Sequence, residues 1–183
     1  QELIKEDVGS QDQAFAAHGG FKLIEFSTSG DILVNPVIIK PDRLKILEKS
    51  LLLVFTGISR MAAVAASDKI KNIPDNTDYL FKMKALVDDA YNVITSPSKN
   101  LNEFGELLNE TWNLKKKLSN EVSNSQIEEL YDMIIKNGGI GGKLCGAGGG
   151  GFMLFFVEPE NKTKVIEALE NYLHVPFHFD YDG

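Results

Sequence analysis

Cysteine and histidine are scarce in this sequence, and its net charge is negative. Its 183 residues include one cysteine, Cys145, and three histidines. A single cysteine excludes an internal disulfide and a cysteine-rich zinc site, and the scattered histidines suggest no metal cluster. The formal net charge is -7, which argues against a nucleic-acid surface because such surfaces need clustered cations. The one basic run, Lys115 to Lys117, is expected to be a solvated helix face.

Long apolar stretches are also absent. No segment approaches the ~20 apolar residues that cross a bilayer, and no cationic and then apolar signal opens the chain. We therefore expect a soluble, cytoplasmic protein. The chain starts at Gln1, without methionine, and residues 1–6 resemble the end of a helix. The length suits one complete domain and part of another, so we expect a fragment of a longer protein.

The first 49 residues are predicted to be the remnant of a preceding domain. Two β-rich runs within residues 21–39 flank a polar Ser/Gly/Asp turn and predict a hairpin. A short helix with proline at its start is predicted for residues 41–49.

Residues 50–183 are predicted to form a complete α+β domain. An apolar run at residues 51–55 indicates a strand buried on both faces. Three amphipathic helices follow, and the last ends at Asn137-Gly138-Gly139. The end of the chain predicts strands at 140–145 and 152–157, a helix at 162–173 and a strand at 177–181. The order β, helices, β, β, α, β is the split βαβ, or ferredoxin-like, order with helices inserted in its first crossover.

The strongest local motif joins the strands predicted at 140–145 and 152–157. We call residues 146–151 the glycine turn. Glycines let a backbone approach a phosphate or a neighbouring loop with its N–H groups exposed. A flexible linker and a structural turn without a ligand are the alternatives. No Gly-Lys-Ser/Thr follows and the turn leads into a strand, which excludes a P-loop and a dinucleotide-binding motif. The candidate residues are Lys143, Gly146, Ala147, Gly148, Gly149, Gly150 and Gly151.

A carboxylate near the front of the chain is the second candidate. Asp12 follows Gly9-Ser10-Gln11 and precedes Gln13, near a predicted helix start. Amide donors and the helix dipole can keep such a carboxylate ionised, which suits a base acting on a hydroxyl. A helix-capping or surface aspartate is the alternative.

The end of the strand predicted at 51–55 is the third candidate. Thr56 and Gly57 form a turn there, and Arg60 follows. Strand ends present side chains to clefts, and arginine matches a phosphate or a carboxylate in a bidentate manner. A surface arginine is the alternative.

Taken together, these segments resemble the GHMP kinases, a family named for galactokinase, homoserine kinase, mevalonate kinase and phosphomevalonate kinase. Residues 143–152 resemble the family's third motif, and residues 9–13 resemble the segment that holds the catalytic aspartate of its sugar kinases. The resemblance implies a ferredoxin-like C-terminal domain preceded by the remnant of a ribosomal protein S5-like domain.

The resemblance also implies a reaction. Asp12 would be the catalytic residue, and the glycine turn would support the nucleotide loop. Gly9, Gln13, Thr56 and Gly57 would contact the substrate, and our own inference adds Arg60 as a contact to the sugar phosphate. ATP and Mg²⁺ would be the cofactors. Residues 9–21, 56–60 and 110–115 are most similar to kinases of D-glycero-D-manno-heptose 7-phosphate, which act at the anomeric hydroxyl. Galactokinase-like and fucokinase-like substrates stay open, as does a ferredoxin-like regulatory module that binds a small molecule.

Two segments of the family pattern do not occur in these 183 residues. They are the N-terminal substrate motif and the Pro-x-x-x-Gly-Leu-x-Ser-Ser loop that holds the ATP phosphates. We therefore expect this chain alone to be inactive and to bind no nucleotide tightly. An isolated hairpin is marginal in water, so residues 21–39 are expected to be disordered, repositioned or associated with another chain.

Overall fold

The computed structural model describes residues 10–59 and 72–180. The helix end predicted at residues 1–6 lies outside this part of the chain, as do the predicted site residues Gly9 and Arg60. The strands of the described part are Lys22–Phe26 (β1), Ile32–Pro36 (β2), Leu51–Phe55 (β3), Gly139–Leu144 (β4), Phe152–Val157 (β5) and His174–Val175 (β6).

The helices of the described part surround the strands. They are Gln11–His18 (α1), Pro41–Ser50 (α2), Thr77–Thr95 (α3), Asn102–Lys117 (α4), Ser125–Lys136 (α5) and Pro159–Ala168 (α6), with a 3₁₀ turn at Pro74–Asn76. Within residues 10–59 and 72–180, none of the helices is both long enough and apolar enough to span a membrane.

Four strands form one antiparallel sheet in the order β4-β5-β3-β6. Strands β3 and β4 lie on either side of β5 and both run antiparallel to it, so they run parallel to each other. Helices α3, α4 and α5 lie between β3 and β4 along the chain. This arrangement is the split βαβ, and the predicted ferredoxin-like domain with inserted helices is confirmed.

The central strands β3 and β5 are covered on both faces. On one face, Val54 and Phe155 belong to an apolar cluster with side chains of α5 and α6. On the other, Leu51 and Phe156 pack in a second cluster with Leu47 of α2 and side chains of α4. A strand with both faces covered is apolar at consecutive positions, which explains the continuous run that predicted β3.

Helix α4 lies so close to β4 that no side chain fits between the two backbones at their contact. A Cβ atom added to Gly141 would lie 2.1 Å from the carbonyl oxygen of Gly105, so the two backbones meet directly. From Gly105 to Lys115 the helix rises ~15 Å, and from Gly141 to Gly146 an extended chain covers a similar distance. The contact between the glycines therefore brings the end of α4 to the end of β4.

The last two predicted elements were placed wrongly. The helix predicted at 162–173 begins at Pro159 and ends at Ala168. The strand predicted at 177–181 is absent over residues 177–180, residue 181 lies outside the described part, and the last described strand is the pair His174–Val175 beside β3. Phe177 and Phe179 alternate because both pack on the second apolar cluster. The Phe179 N–H donates to the Glu48 carboxylate at 2.8 Å, so a side chain takes the place of a neighbouring strand.

The predicted hairpin is present as a separate two-stranded sheet. Strands β1 and β2 pair antiparallel from Lys22 opposite Pro36 to Phe26 opposite Ile32. A ring contact between Phe21 and Phe179, with centroids 4.6 Å apart, links its base to the larger domain. Its association with another chain and the domain boundary at residues 49 and 50 stay predictions.

Tyr131 of α5 is buried in the first apolar cluster. Its hydroxyl donates to Asn109 Oδ1 at 2.7 Å, and its ring contacts those of Trp112 and Phe155. Burial raises the pKa of Tyr131 to about 12, and the nearby carboxylates of α5 act in the same direction. The protonated phenol is therefore strongly favoured in the folded state.

We expect alkaline pH to destabilise the fold through Tyr131. The phenol loses its proton near pH 10 in the unfolded chain and near pH 12 in the folded one. The stabilisation is present below pH 10 and is lost as the pH rises from 10 to 12, by about 2–3 kcal/mol. Tyr131→Phe cannot titrate, so its unfolding free energy in urea should fall less over this range. Parallel pH profiles for the two proteins would contradict the assignment.

Candidate functional site

The glycine turn is packed on one side and open on the other. Gly146, Gly148, Gly149 and Gly151 have positive φ angles. A Cβ added to Gly150 would lie 2.8 Å from the Ile58 carbonyl oxygen, whereas one added to Gly146 would meet nothing within 4 Å. A backbone held this closely by a neighbouring segment is not a flexible linker.

The end of β3 holds the closing side of the turn. Both the N–H and the Oγ1 hydroxyl of Thr56 donate to the Gly151 carbonyl at 2.9 Å. The Gly151 N–H donates to the Ile58 carbonyl at 2.9 Å, and Gln126 Nε2 donates to the Thr56 carbonyl at 2.8 Å. Thr56 is fully buried, so the structure gives this predicted substrate contact a bracing role. A substrate contact stays a prediction for it and for the exposed Gly57 beside it.

Lys115 holds the opening side of the turn. Its Nζ donates to the carbonyls of Leu144 at 2.9 Å and Gly146 at 2.7 Å, and the residue is only 7% exposed. The solvated face predicted for the basic run is therefore wrong at Lys115. Its position is seven residues after Leu108 and three after Trp112, on the buried stripe of α4, and this spacing could have identified it.

The other two lysines of the run lie over aromatic rings. Lys116 Nζ is 5.5 Å from the centroid of the Trp112 ring and pairs with Glu128 at 2.9 Å. Lys117 is exposed, and its Nζ is 5.3 Å from the centroid of the Tyr79 ring. Lys117 is the member of the run that fits the solvated-face prediction.

Asp12 lies in the first turn of α1 and is exposed, as is Gln13 beside it. The position agrees with the predicted helix start, where the helix dipole favours a negative charge. Ser10 precedes the helix but makes no side-chain capping bond.

The charge of Asp12 reaches the residue that precedes the glycine turn. Burial raises the pKa of the Cys145 thiol, and the Asp12 carboxylate raises it further, whereas the cations Lys143 and Lys115 act to lower it. Charges act on a thiol in this way only from nearby. The Asp12 carboxylate is the smallest of these influences on the pKa, so a common site for Asp12 and the glycine turn stays a prediction.

Lys143 lies three residues before Gly146, and the turn itself offers amide donors. The Ala147 N–H finds no acceptor among the residues that the structure describes. Turn amides and a lysine are groups that can hold an anion, and an exposed carboxylate such as Asp12 can accept a proton. Among residues 10–59 and 72–180, no three His, Cys, Asp or Glu side chains are grouped so that they could hold a metal ion.

Comparison with known proteins supplies the family. The profile described as GHMP kinases C terminal matches residues 84–175. The chain is 36% identical, over 173 residues, to the D-glycero-alpha-D-manno-heptose 7-phosphate kinase of Campylobacter jejuni, covering 92% of this chain and 51% of the relative. It is 32% identical to the L-fucokinase/L-fucose-1-P guanylyltransferase of Bacteroides fragilis, covering 92% of this chain and 18% of that protein.

A solved structure shows the same fold over nearly the whole chain. The crystal structure of a D-glycero-D-manno-heptose 1-phosphate kinase from Bacteroides thetaiotaomicron aligns with a TM-score of 0.59 and 30% identity. The alignment covers 96% of this chain and 47% of that protein. The chain thus spans about half the length of the heptose kinases it matches.

Proposed function

Because the chain belongs to the GHMP kinase family, we propose that it is the C-terminal half of an ATP-dependent sugar kinase that phosphorylates the anomeric hydroxyl of D-glycero-D-manno-heptose 7-phosphate. The observation that carries the proposal is the 36% identity, over 92% of this chain, to the heptose 7-phosphate kinase of Campylobacter jejuni. The proposal requires that Asp12, as a base, and the glycine turn, as a phosphate-binding backbone, face the same space.

In the proposed reaction, Asp12 accepts or orients the proton of the sugar hydroxyl. The glycine turn and Lys143 bind and orient an anionic phosphoryl group, for which the Ala147 N–H, without an acceptor among the described residues, is a fitting donor. Mg²⁺-ATP supplies the phosphoryl group and neutralises its charge. Phosphoryl transfer depends mainly on positioning, so this half alone, without the family's phosphate-holding loop, is proposed to be inactive.

The product would be a heptose 1,7-bisphosphate for nucleotide-activated heptose and surface polysaccharide, made in the cytoplasm. A fucose-type substrate is the second candidate, which the 32% identity to the Bacteroides fragilis protein supports. A regulatory module without catalysis is the third. It would account for the sheet but leave Asp12 and the glycine turn without a role.

A coupled ADP-release assay would test the proposal. The 183-residue chain and the product of the reading frame extended upstream of Gln1 would each receive ATP, Mg²⁺ and one of heptose 7-phosphate, galactose or fucose. We expect turnover only by the longer protein and chiefly with the heptose phosphate. A preference for fucose would support the second candidate. An extended frame that lacks the Gly-Leu-x-Ser-Ser loop and releases no ADP would favour the regulatory module.

The hairpin of β1 and β2 is proposed to associate with another chain. Phe26, Ile32 and Leu33 are large apolar side chains that are about half exposed on it. Sedimentation of the chain over a range of concentrations would detect the association, and a strictly monomeric chain with a protected hairpin would contradict it.

A further inference from the structure

Lys115 acts on the glycine turn from a helix that the proposed mechanism does not otherwise use. We propose that Lys115 is a positioning residue that fixes the peptide between Gly146 and Ala147 so that the Ala147 N–H points away from α4, as a donor to a phosphoryl group. The positioning claim concerns the fold of this chain, and the identity of the anion rests on the proposed function.

The direction of the Ala147 N–H follows from the planarity of the peptide. In a trans peptide the carbonyl and the following N–H point in opposite directions. The Gly146 carbonyl accepts from Lys115 Nζ at 2.7 Å, so the Ala147 N–H must point away from the ammonium. The preceding contact obeys the same geometry. The Leu144 carbonyl accepts from Lys115, while the Cys145 N–H donates across the ladder to the Phe152 carbonyl at 2.8 Å.

Two further features show why a fixed lysine is needed at this point. Gly146 has a φ of +69° and open space around it, so its own contacts do little to hold the peptide in one orientation. A buried ammonium, in contrast, has strong need of acceptors, because an unpaired charge in the interior is costly. Lys115 therefore binds the Gly146 carbonyl firmly and prevents the peptide from turning over.

The experiment compares Lys115→Met with a matched control, Lys117→Met, in the 183-residue chain. Both variants remove one lysine from the end of α4, but Lys117 is exposed and its ammonium lies over the Tyr79 ring. In Lys115→Met we expect hydrogen exchange of the Gly149 amide, which donates to the Val122 carbonyl at 2.9 Å, to rise at least tenfold, with the Phe155 amide unchanged within about twofold. Lys117→Met should match the wild type. Equal acceleration at Phe155 would indicate general destabilisation and overturn the positioning role.

The donor role is tested with inorganic tripolyphosphate as the probe. In the wild type its addition should shift the amide resonance of Ala147, and Lys115→Met should weaken this response at least tenfold, whereas Lys117→Met should not. If the Ala147 amide resonance of the wild type does not shift when tripolyphosphate is added, the donor role is overturned. These readouts need no kinase turnover, so a failed ADP assay beside a positive titration would reject the proposed function and keep the role of Lys115.

A direct observation covers the case in which Lys115→Met does not fold. The ammonium of Lys115 in the wild-type chain should give a slowly exchanging ¹⁵Nζ resonance at low temperature, with contacts to the Gly146 backbone. An ammonium that exchanges as fast as that of Lys117 would overturn the proposal.

Discussion

Replacing Asp12 with asparagine is expected to lower phosphoryl transfer by about a hundredfold or more in the protein that carries both family halves. General bases contribute typically 10²–10⁴-fold to a rate, and an amide of the same shape cannot accept the proton. The loss should appear in kcat, with the KM for the sugar little changed, because the substitution leaves the size and position of the side chain alone.

Asp42→Asn is a matched control for this experiment. Asp42 is also exposed and also lies in the first turn of a helix, α2, so both substitutions remove the same favourable interaction with a helix dipole. Asp42→Asn should leave kcat within about twofold of the wild type, since a solvent-exposed dipole interaction contributes less than ~1 kcal/mol to stability. Turnover that Asp12→Asn leaves unchanged would remove Asp12 from the mechanism.

Gly141→Ala is expected to be the most destabilising single methyl substitution in the sheet. The added Cβ would lie 2.1 Å from the Gly105 carbonyl oxygen and 2.8 Å from the Asn109 Cβ. Neither neighbour can rotate away, so α4 would have to move. Overpacking of this kind costs about 3 kcal/mol or more, which corresponds to a fall in Tm of roughly 6–12 °C for a chain of this size. Thermal unfolding followed by circular dichroism would measure it.

Gly30→Ala separates steric overlap from backbone strain. Gly30 has a φ of +94° but nothing within 4 Å of an added Cβ, so its replacement brings strain alone. We expect a cost of about 1–2 kcal/mol there. A Gly141→Ala protein as stable as the Gly30→Ala protein would show that α4 and β4 do not meet backbone to backbone.

Most of the sheet could be predicted because most of its strands have a recognisable pattern within their own residues. β3 and β5 are apolar runs bounded by turns, and the hairpin has a polar turn between β-rich segments. The segment at Phe177 and Phe179 shows the limit of this reasoning. Alternating burial has the same signature whether a strand or an extended tail produces it, and only the Glu48 carboxylate, distant in sequence, distinguishes the two.

The candidate site was predictable only where the residue type itself signals chemistry. The glycine turn and Asp12 stood out for that reason, whereas Lys115 was missed because the three lysines were interpreted as one charged face. Consecutive helical residues point about 100° apart, so a run of like charges need not share one environment. The contact between Gly105 and Gly141 carries no local signal, because it joins residues distant in the chain.

The direct contact between Gly105 and Gly141 has a mechanical consequence. Side chains between a helix and a sheet can change rotamer and so absorb small displacements. No such compliant layer separates α4 from β4 at this point. A ligand that displaces the loop beyond β4 must therefore displace the whole of α4. Conversely, a shift of α4 moves the loop ~15 Å away by a similar amount.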